Sequence, residues 1–160
     1  MPEILQLLVS PVHRYDGRPD PELPEPPDEL RESVELRAGL GIVGDRYYNR
    51  PAHRDASVTV IAAESLAVWP GAGLAACRRN ILLTGLDVDS ASPGRVLVLD
   101  SGDGPVSLRL TRPARPCAWM DARIAPGAWK ALRGHGGMRA VPLTDGVLRV
   151  GPLEASWLSG

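Results

Sequence analysis

Cys117 stands in a sequence setting that suits thiolate chemistry. It ends the run Arg112-Pro-Ala-Arg-Pro-Cys117, and Arg123 follows six residues later. A thiolate is both a nucleophile and a soft metal ligand, and nearby guanidinium groups favour this ionised form. The two prolines restrict the backbone and would hold the sulfur in a fixed place. The alternative is a buried structural cysteine, since free cysteine is among the most often buried residue types, and Cys77 has the same two interpretations.

The other cysteine and histidine positions exclude several common kinds of site. The chain has two cysteines and three histidines, with no Cys-x-x-Cys pair and no histidine spacing suited to zinc. A tetrahedral structural metal site is therefore unsupported. The dispersed acids and histidines predict no Ser–His–Asp relay, and the lack of a paired Cys and His motif argues against a cysteine hydrolase. His13 and His53 lie in polar segments, so we expect both at the surface.

Arginine dominates the basic residues and supplies candidate anion ligands. Seventeen of the eighteen bases are arginine, and Lys130 is the single lysine. A guanidinium group grips phosphate or carboxylate through two parallel hydrogen bonds. Arg78 and Arg79 precede the apolar run that begins at Asn80, and neighbours on a strand point to opposite faces, so one of the two must reach an anion or the rim. Solvated rim charges, or arginine content set by base composition, are the alternatives.

Two further motifs could serve an anion site. The loop Gly134-His135-Gly136-Gly137, between Arg133 and Arg139, could present backbone N–H groups to a phosphate, although most loops of this kind are turns. It matches neither the P-loop nor the dinucleotide fingerprint. Gly44-Asp45-Arg46 places a carboxylate beside a guanidinium group at a turn, where local pairing that only fixes the loop is the alternative.

The elements that must position these residues are mostly short strands. Strands are predicted at Ile4–Val9, Ser33–Ala38, Ser57–Ile61, Asn80–Thr84, Arg95–Leu99, Val106–Thr111 and Leu153–Trp157. The runs Asn80–Thr84 and Arg95–Leu99 are continuously apolar, which predicts burial on both faces. Met138–Leu143 and Val147–Val150 predict a hairpin across the Asp-Gly turn at 144–146.

Helical segments are few. Short helices are predicted at Ala62–Trp69, Cys117–Arg123 and Ala128–Leu132, each bounded by a Pro or Gly signal. About eight strands separated by turns predict a mainly β fold with small helices around a β-barrel core that is closed or nearly closed.

Length and charge set the broad class. The 160 residues favour one domain over 1–160, with a Pro/acid-rich surface loop at about 18–29. A net charge of −1 argues against attraction of the whole surface to nucleic acid or anionic lipid, with a local basic patch as the alternative. No apolar run approaches the ~20 residues that cross a bilayer, so we expect no membrane partner. Two cysteines without a secretory signal predict reduced thiols in a cytoplasmic protein.

Taken in order, the motifs resemble the MOSC domain, the family named after the C-terminal region of molybdenum cofactor sulfurase, in its stand-alone bacterial form. The likeness extends from about Ile4 to Ser156, and the placement of the single matched cysteine makes it specific. The matching stretches are Gly39-Leu-Gly-Ile-Val-Gly-Asp-Arg46, Val58-Thr-Val-Ile-Ala-Ala-Glu64, Arg78-Arg-Asn-Ile-Leu-Leu-Thr-Gly85, Pro113-Ala-Arg-Pro-Cys117, Leu132-Arg-Gly-His-Gly-Gly-Met-Arg139 and Asp145-Gly146.

The resemblance implies a MOSC-like, mostly β fold with a barrel core and a molybdopterin-type molybdenum cofactor. Cys117 would be the catalytic residue that ligates molybdenum or carries sulfur, which fits soft thiolate chemistry. The other site residues that it implies, all cofactor-binding, are Arg46, Arg79, Asn80, Arg133, His135 and Gly137. Members of the family are associated with reducing N-hydroxylated compounds or with moving sulfur onto the cofactor.

The expected activity is a molybdenum-dependent reduction of an N-hydroxylated small-molecule substrate. No flavin or nicotinamide fingerprint is present, so a separate electron-donor protein would supply the electrons. One alternative is a sulfur or cofactor carrier that forms a persulfide on Cys117. Another is a non-catalytic binding module with a degenerate pocket, since Tyr47 follows Gly-Asp-Arg where the family often has histidine. Gly151-Pro152 also replaces the usual Gly-Asp near the end.

Overall fold

The computed structural model describes residues 1–15, 17–20, 22, 24 and 27–158. Its strands are β1 (Glu3–Leu8), β2 (Leu30–Arg31), β3 (Ser33–Arg37), β4 (Gly41–Ile42), β5 (Val58–Ala62), β6 (Ile81–Thr84), β7 (Val96–Asp100), β8 (Pro105–Pro113), β9 (Met138–Pro142), β10 (Gly146–Arg149), β11 (Gly151–Pro152) and β12 (Glu154–Leu158). The predicted mainly β fold with small helices is confirmed. Residues 21, 23, 25 and 26 of the predicted Pro/acid-rich loop lie outside the described residues.

The helices are single turns. They are α1 (Leu74–Cys77), α2 (Trp119–Arg123) and α3 (Ala128–Ala131), with two 3-10 turns at Pro51–His53 and Ala63–Leu66. The predicted helix at Ala62–Trp69 is thus shorter than expected, because Ala62 is extended and belongs to β5. No helix in the described part of the chain is long and apolar enough to span a bilayer.

A nine-stranded sheet forms most of the fold. Its strand order is β11-β1-β6-β5-β9-β8-β7-β12, and β2 also pairs with β1. β5 and β6 run parallel, whereas the other pairs are antiparallel. The two ends of this order, β11 and β12, are separated in the chain by Leu153 alone, so the sheet must curl until its ends come together. Within the described ranges, no strand pairing closes the sheet into a continuous barrel.

The chain between β9 and β10 crosses from one sheet to the other. β9 pairs with β5 and β8, while β10 pairs with β3 in a three-stranded sheet of order β10-β3-β4. The predicted hairpin of Met138–Leu143 with Val147–Val150 is therefore wrong. Instead of closing a tight turn between these two strands, Asp145 accepts a 2.8 Å hydrogen bond from the N–H of Ala38, next to β3, and this contact leads the chain into the second sheet.

Apolar side chains form two clusters on opposite faces of the central strands. The larger one includes Ile81 and Leu83 of β6, and the smaller one joins Leu82 of the same strand to α1, α2 and α3. The predicted burial of both faces is confirmed for β6. It is wrong for β7, where buried and half-buried residues alternate, because the helices cover β1, β5 and β6 and leave the outer face of β7 to solvent.

Gly137 lets the chain pass very close to β5. Its φ is +88°, and a Cβ built there would lie 2.1 Å from the carbonyl oxygen of Val60. Its own carbonyl accepts a 2.9 Å hydrogen bond from the N–H of Ala114. The neighbouring Gly136 is as tight, since a Cβ there would lie 2.3 Å from the carbonyl oxygen of Ala114. This close approach fixes the segment before β9 between β5 and the chain that leads to Cys117.

We expect Gly137→Ala to lower the free energy of unfolding by about 3 kcal/mol or more, since the added methyl group must displace backbone. Gly134→Ala is the matched control, because Gly134 also has a positive φ, +78°, but no atom within 4 Å of its Cβ position. It should cost only the conformational strain, about 1–2 kcal/mol. Urea denaturation measures both, and equal losses would contradict the steric account.

Candidate functional site

Cys117 lies at a small cavity just before α2. Its side chain is partly exposed, so the predicted alternative of a sealed structural cysteine applies to Cys77, which is fully buried. Burial raises the pKa of the Cys77 thiol. The cavity has a volume of about 200 Å³ and is lined by His13, Arg14, Tyr15, Arg46, Tyr47, Arg78, Arg79, Arg115, Cys117 and Arg139.

The cavity is strongly cationic. Six of its ten lining residues are arginines. Glu29 pairs with Arg14 and Arg78, and Asp45 pairs with Arg46. Across the described ranges, no carboxylate forms an ion pair with the remaining three, which are Arg79, Arg115 and Arg139. An excess of positive charge therefore surrounds the cysteine, as an anion site requires.

Arg79 is bonded to backbone carbonyls instead of to an acid. Its guanidinium group donates to the carbonyl oxygens of Cys77 (3.4 Å), Ala114 (3.3 Å), Arg115 (3.2 Å) and Gly136 (2.9 Å). These bonds join α1, the segment before Cys117 and the glycine-rich loop. Burial lowers the pKa of Arg79 from its ordinary value, since a charge without a carboxylate partner is costly to desolvate.

Arg78 is the arginine of the pair that reaches an anion, as the sequence required of one of them. It caps α1 in a left-handed conformation, with φ +60°, and its Nη2 lies 2.7 Å from Oε1 of Glu29. Both side chains are at most 5% exposed. Burial alone would raise the pKa of Glu29, but hydrogen bonds with Ser10, Arg14 and Arg78 lower it to about 2. Glu29 was not among the predicted site residues, because nothing in its segment of the sequence marks it as buried.

Asn80 is buried in the protein interior and its side chain is hydrogen-bonded to Asp45. Its side-chain amide donates to the backbone oxygen of Leu8 (3.1 Å) and to Oδ1 of Asp45 (3.2 Å), and its Oδ1 accepts from the N–H of Thr59 (3.0 Å). Burial raises the pKa of Asp45 despite the neighbouring Arg46 charge. Arg46 lies 3.3 Å from Oδ1 of Asp45. The Asp45–Arg46 pair predicted at the turn therefore forms, and the hydrogen bond from Asn80 holds its carboxylate.

Tyr47 forms one wall of the cavity. Its ring lies under the Arg46 guanidinium carbon at 4.5 Å and under that of Arg139 at 5.9 Å. The His53 ring is also 4.5 Å away, so His53 is half-buried where the sequence predicted a surface position. Burial, followed by the charge of Arg139, lowers the pKa of His53. Tyr47 and Arg139 were both missed as site residues, since their contact joins segments far apart in the sequence.

Several guanidinium nitrogens at this cavity have no acceptor. Nε of Arg46, Nε of Arg78 and Nη1 of Arg139 are buried and make no hydrogen bond within the described part of the chain. A buried N–H group without a partner costs free energy comparable to a lost hydrogen bond. These atoms are therefore donors whose hydrogen-bonding capacity no described residue uses.

The structure separates the remaining predicted site residues from this group. Cys117, Arg46 and Arg79 line the cavity together, whereas His135 lines a different one and Arg133 is exposed. In the predicted phosphate loop, the N–H of His135 donates to the carbonyl of Leu132 at 2.8 Å. The N–H of Gly137 donates to Asp89 at 2.9 Å. The loop reaches the cysteine cavity only through the bond from Arg79 to the carbonyl of Gly136.

The described residues contain no group of three or more His, Cys, Asp or Glu side chains arranged to hold a metal ion. Among the described residues that line the cysteine cavity, Cys117 and His13 carry the thiol and imidazole donors.

The fold is similar to several solved structures. YuaD from Bacillus subtilis is 13% identical, with a TM-score of 0.72 over 100% of this chain and 98% of that one. YiiM from Escherichia coli is 16% identical, with a TM-score of 0.57 over 99% and 70%. YiiM from Geobacillus stearothermophilus is 23% identical, with a TM-score of 0.50 over 64% and 55%. These likenesses support the MOSC-like fold that the motifs predict.

Sequence comparisons find no match for this chain. No protein-family model matches this chain, and no curated protein matches it in sequence. The identities to the solved structures are low, so the likeness concerns the fold alone.

We expect Glu29→Gln to lower the free energy of unfolding at pH 7 by about 3 kcal/mol, because it leaves Arg78 buried without its counter-charge. The folded pKa of about 2 lies below the ordinary 4.5, so the carboxylate stabilises the fold above pH 4.5 and loses this effect as the pH falls towards 2. The difference between variant and parent should therefore shrink over this range in chemical denaturation.

Glu32→Gln is the control for this prediction, since Glu32 is exposed and should change stability by no more than about 0.5 kcal/mol. A loss for Glu29→Gln that stays constant from pH 7 to pH 2 would contradict the ion-pair explanation.

Proposed function

We propose that this protein binds a molybdopterin-type molybdenum cofactor at the Cys117 cavity and reduces N-hydroxylated compounds. The observation that carries the proposal is a partly exposed cysteine among arginines whose buried nitrogens lack acceptors. The MOSC-like fold supports the same cofactor class. The cofactor, the reaction and the site residues are our inference from this arrangement.

The donor set fits the cofactor at both of its functional ends. A phosphate accepts charge-assisted hydrogen bonds from several guanidinium nitrogens at once, and Arg46 and Arg139 offer free N–H groups. A single thiolate suits a soft metal whose other ligands come from the organic part. The volume of about 200 Å³ is below the roughly 300–1,000 Å³ of most small-molecule sites. The cavity would therefore enclose the charged end and leave the body of the cofactor at its mouth.

The residues of this chain would divide the work as follows. Arg46, Arg79 and Arg139 neutralise and orient the anionic group, and Cys117 supplies the thiolate ligand. Tyr47, only 9% exposed, keeps water from one side of the guanidinium groups, which strengthens their hydrogen bonds. The bound cofactor supplies two-electron redox chemistry. Reduction of an N–OH group consumes two electrons and two protons and releases water, and a separate electron-donor protein would provide the electrons.

A sulfur carrier is the second candidate, and the small size of the cavity is the observation that favours it. The Cys117 thiolate would take the outer sulfur of a donor protein's persulfide, which leaves as a thiolate, and a volume of about 200 Å³ accommodates this one added atom. The surrounding guanidinium groups would stabilise the negative charge of the new persulfide. Arg133, His135 and Gly137 would have no direct part in either function, because none of them lines this cavity.

We expect Cys117→Ala, produced in a host that makes the cofactor, to lose most of its molybdenum and to stay folded. Cys77→Ala is the matched control and should keep the metal, since Cys77 is sealed among the helices. Elemental analysis gives molybdenum, fluorescence after oxidation gives pterin, and circular dichroism reports the fold. Full molybdenum occupancy in Cys117→Ala would overturn the ligand role, whereas a parent protein with no pterin and one extra sulfur in its intact mass would favour the carrier.

We expect the cofactor-free protein to bind inorganic phosphate, and Arg139→Gln to weaken this binding about tenfold through loss of a charged donor. The control is Arg109→Gln, because Arg109 is exposed on β8 and does not line the cavity. Isothermal titration at low and high salt gives the affinities. Equal affinity in both variants would show that the cavity is not the anion site.

A further inference from the structure

A larger cavity lies apart from the cysteine site and has the opposite electrical character. Its volume is about 730 Å³, within the roughly 300–1,000 Å³ typical of small-molecule sites. It is lined by Ala62, Glu64, Ser65, Val68, Trp69, Thr84, Gly85, Leu86, Asp87, Asp89, Ala131 and His135. None of these residues lines the cysteine cavity, and the function proposed above does not involve the larger cavity.

Apolar side chains form much of its surface. Trp69, Leu86 and Ala131 contribute apolar area, and Val68 is 74% exposed. Large apolar side chains that line a concave surface are characteristic of ligand sites more than of ordinary solvent-facing surface. The indole of Trp69 also offers a face on which a cationic or flat group can stack. The cavity therefore suits a ligand with an apolar body.

Three carboxylates, held in place by hydrogen bonds, give the cavity its charge. Glu64 accepts from the hydroxyl of Thr84 and from the N–H of Gly85. Asp87 accepts from the hydroxyl and the N–H of Ser90, which lower the pKa of Asp87. Across the residues that the structure covers, no lysine or arginine pairs with Glu64, Asp87 or Asp89. Their negative charge is thus available to a ligand.

Asp89 is oriented by the loop that also contacts the cysteine site. It accepts from the hydroxyl of Ser65 at 3.1 Å and from the N–H of Gly137 at 2.9 Å. The neighbouring Gly136 carries the carbonyl to which Arg79 donates. The loop therefore holds an arginine of the cysteine cavity through a carbonyl group and an acid of the larger cavity through an N–H group. The two cavities carry opposite charges, so they would not hold the same ligand.

We propose that the larger cavity binds a small organic cation with a flat apolar body, such as an aromatic amidinium or amine. The apolar walls and Trp69 would contact the body of the ligand, and Glu64, Asp87 and Asp89 would attract its charge. The proposal does not depend on the molybdenum cofactor or on Cys117.

The test compares benzamidine, a cation at neutral pH, with its neutral analogue benzamide. We expect benzamidine to bind at least about tenfold more tightly in isothermal titration, and added salt to narrow the difference. Glu64→Gln and Asp87→Asn should each weaken benzamidine about threefold to tenfold and leave benzamide unchanged, because they remove charge without changing shape. Glu32→Gln is the control, since Glu32 is an exposed acid that does not line the cavity.

Three outcomes would overturn the proposal. They are equal affinity for benzamidine and benzamide, unchanged affinity in both carboxamide variants, or no benzamidine binding at millimolar concentration. Cys117→Ala should bind benzamidine like the parent protein. The result of this experiment is therefore separate from the fate of the proposed cofactor function.

Discussion

Two buried carboxylates make the cysteine cavity possible. Six guanidinium groups around about 200 Å³ would repel one another, and an unpaired buried charge is costly. Glu29 forms ion pairs with both Arg14 and Arg78, and Asp45 forms one with Arg46. Two carboxylates do not balance six guanidinium groups, so the cavity keeps a net positive charge that would attract an anionic ligand.

Backbone carbonyl groups also hold an arginine of the cysteine cavity in place. Four backbone carbonyl oxygens accept hydrogen bonds from the guanidinium group of Arg79. These bonds fix the orientation of the group and leave its positive charge without a carboxylate partner. One of these carbonyls belongs to Gly136, and that segment can lie so close to the chain before Cys117 only because it lacks side chains. The same loop orients Asp89 in the larger cavity. A single glycine-rich segment thus helps to define two cavities of opposite charge.

Local sequence patterns predicted most strands and missed the connection between sheets. Alternating apolar and polar residues and β-branched runs located β3, β5 and β8. These signals lie within the strand itself and can be recognised without knowing its partners. The Asp-Gly signal at 145–146 predicted a hairpin, but Asp145 bonds to Ala38, a partner more than a hundred residues away. The two-sided burial predicted for β7 failed for a similar reason, since the position of the helices decides which faces are covered.

The sequence by itself determined the mainly β character of the chain. The order of its motifs, which resemble those of the MOSC domain, indicated Cys117 as the candidate thiolate. Only the tertiary structure decided which of seventeen arginines meet that cysteine. Arg115 and Arg139 line the cavity, and Glu29 forms an ion pair with Arg78. His135 and Arg133 do not line it. The physical reason is that charge and desolvation act through space. Side chains from distant segments become neighbours only when strand pairing brings their backbones together.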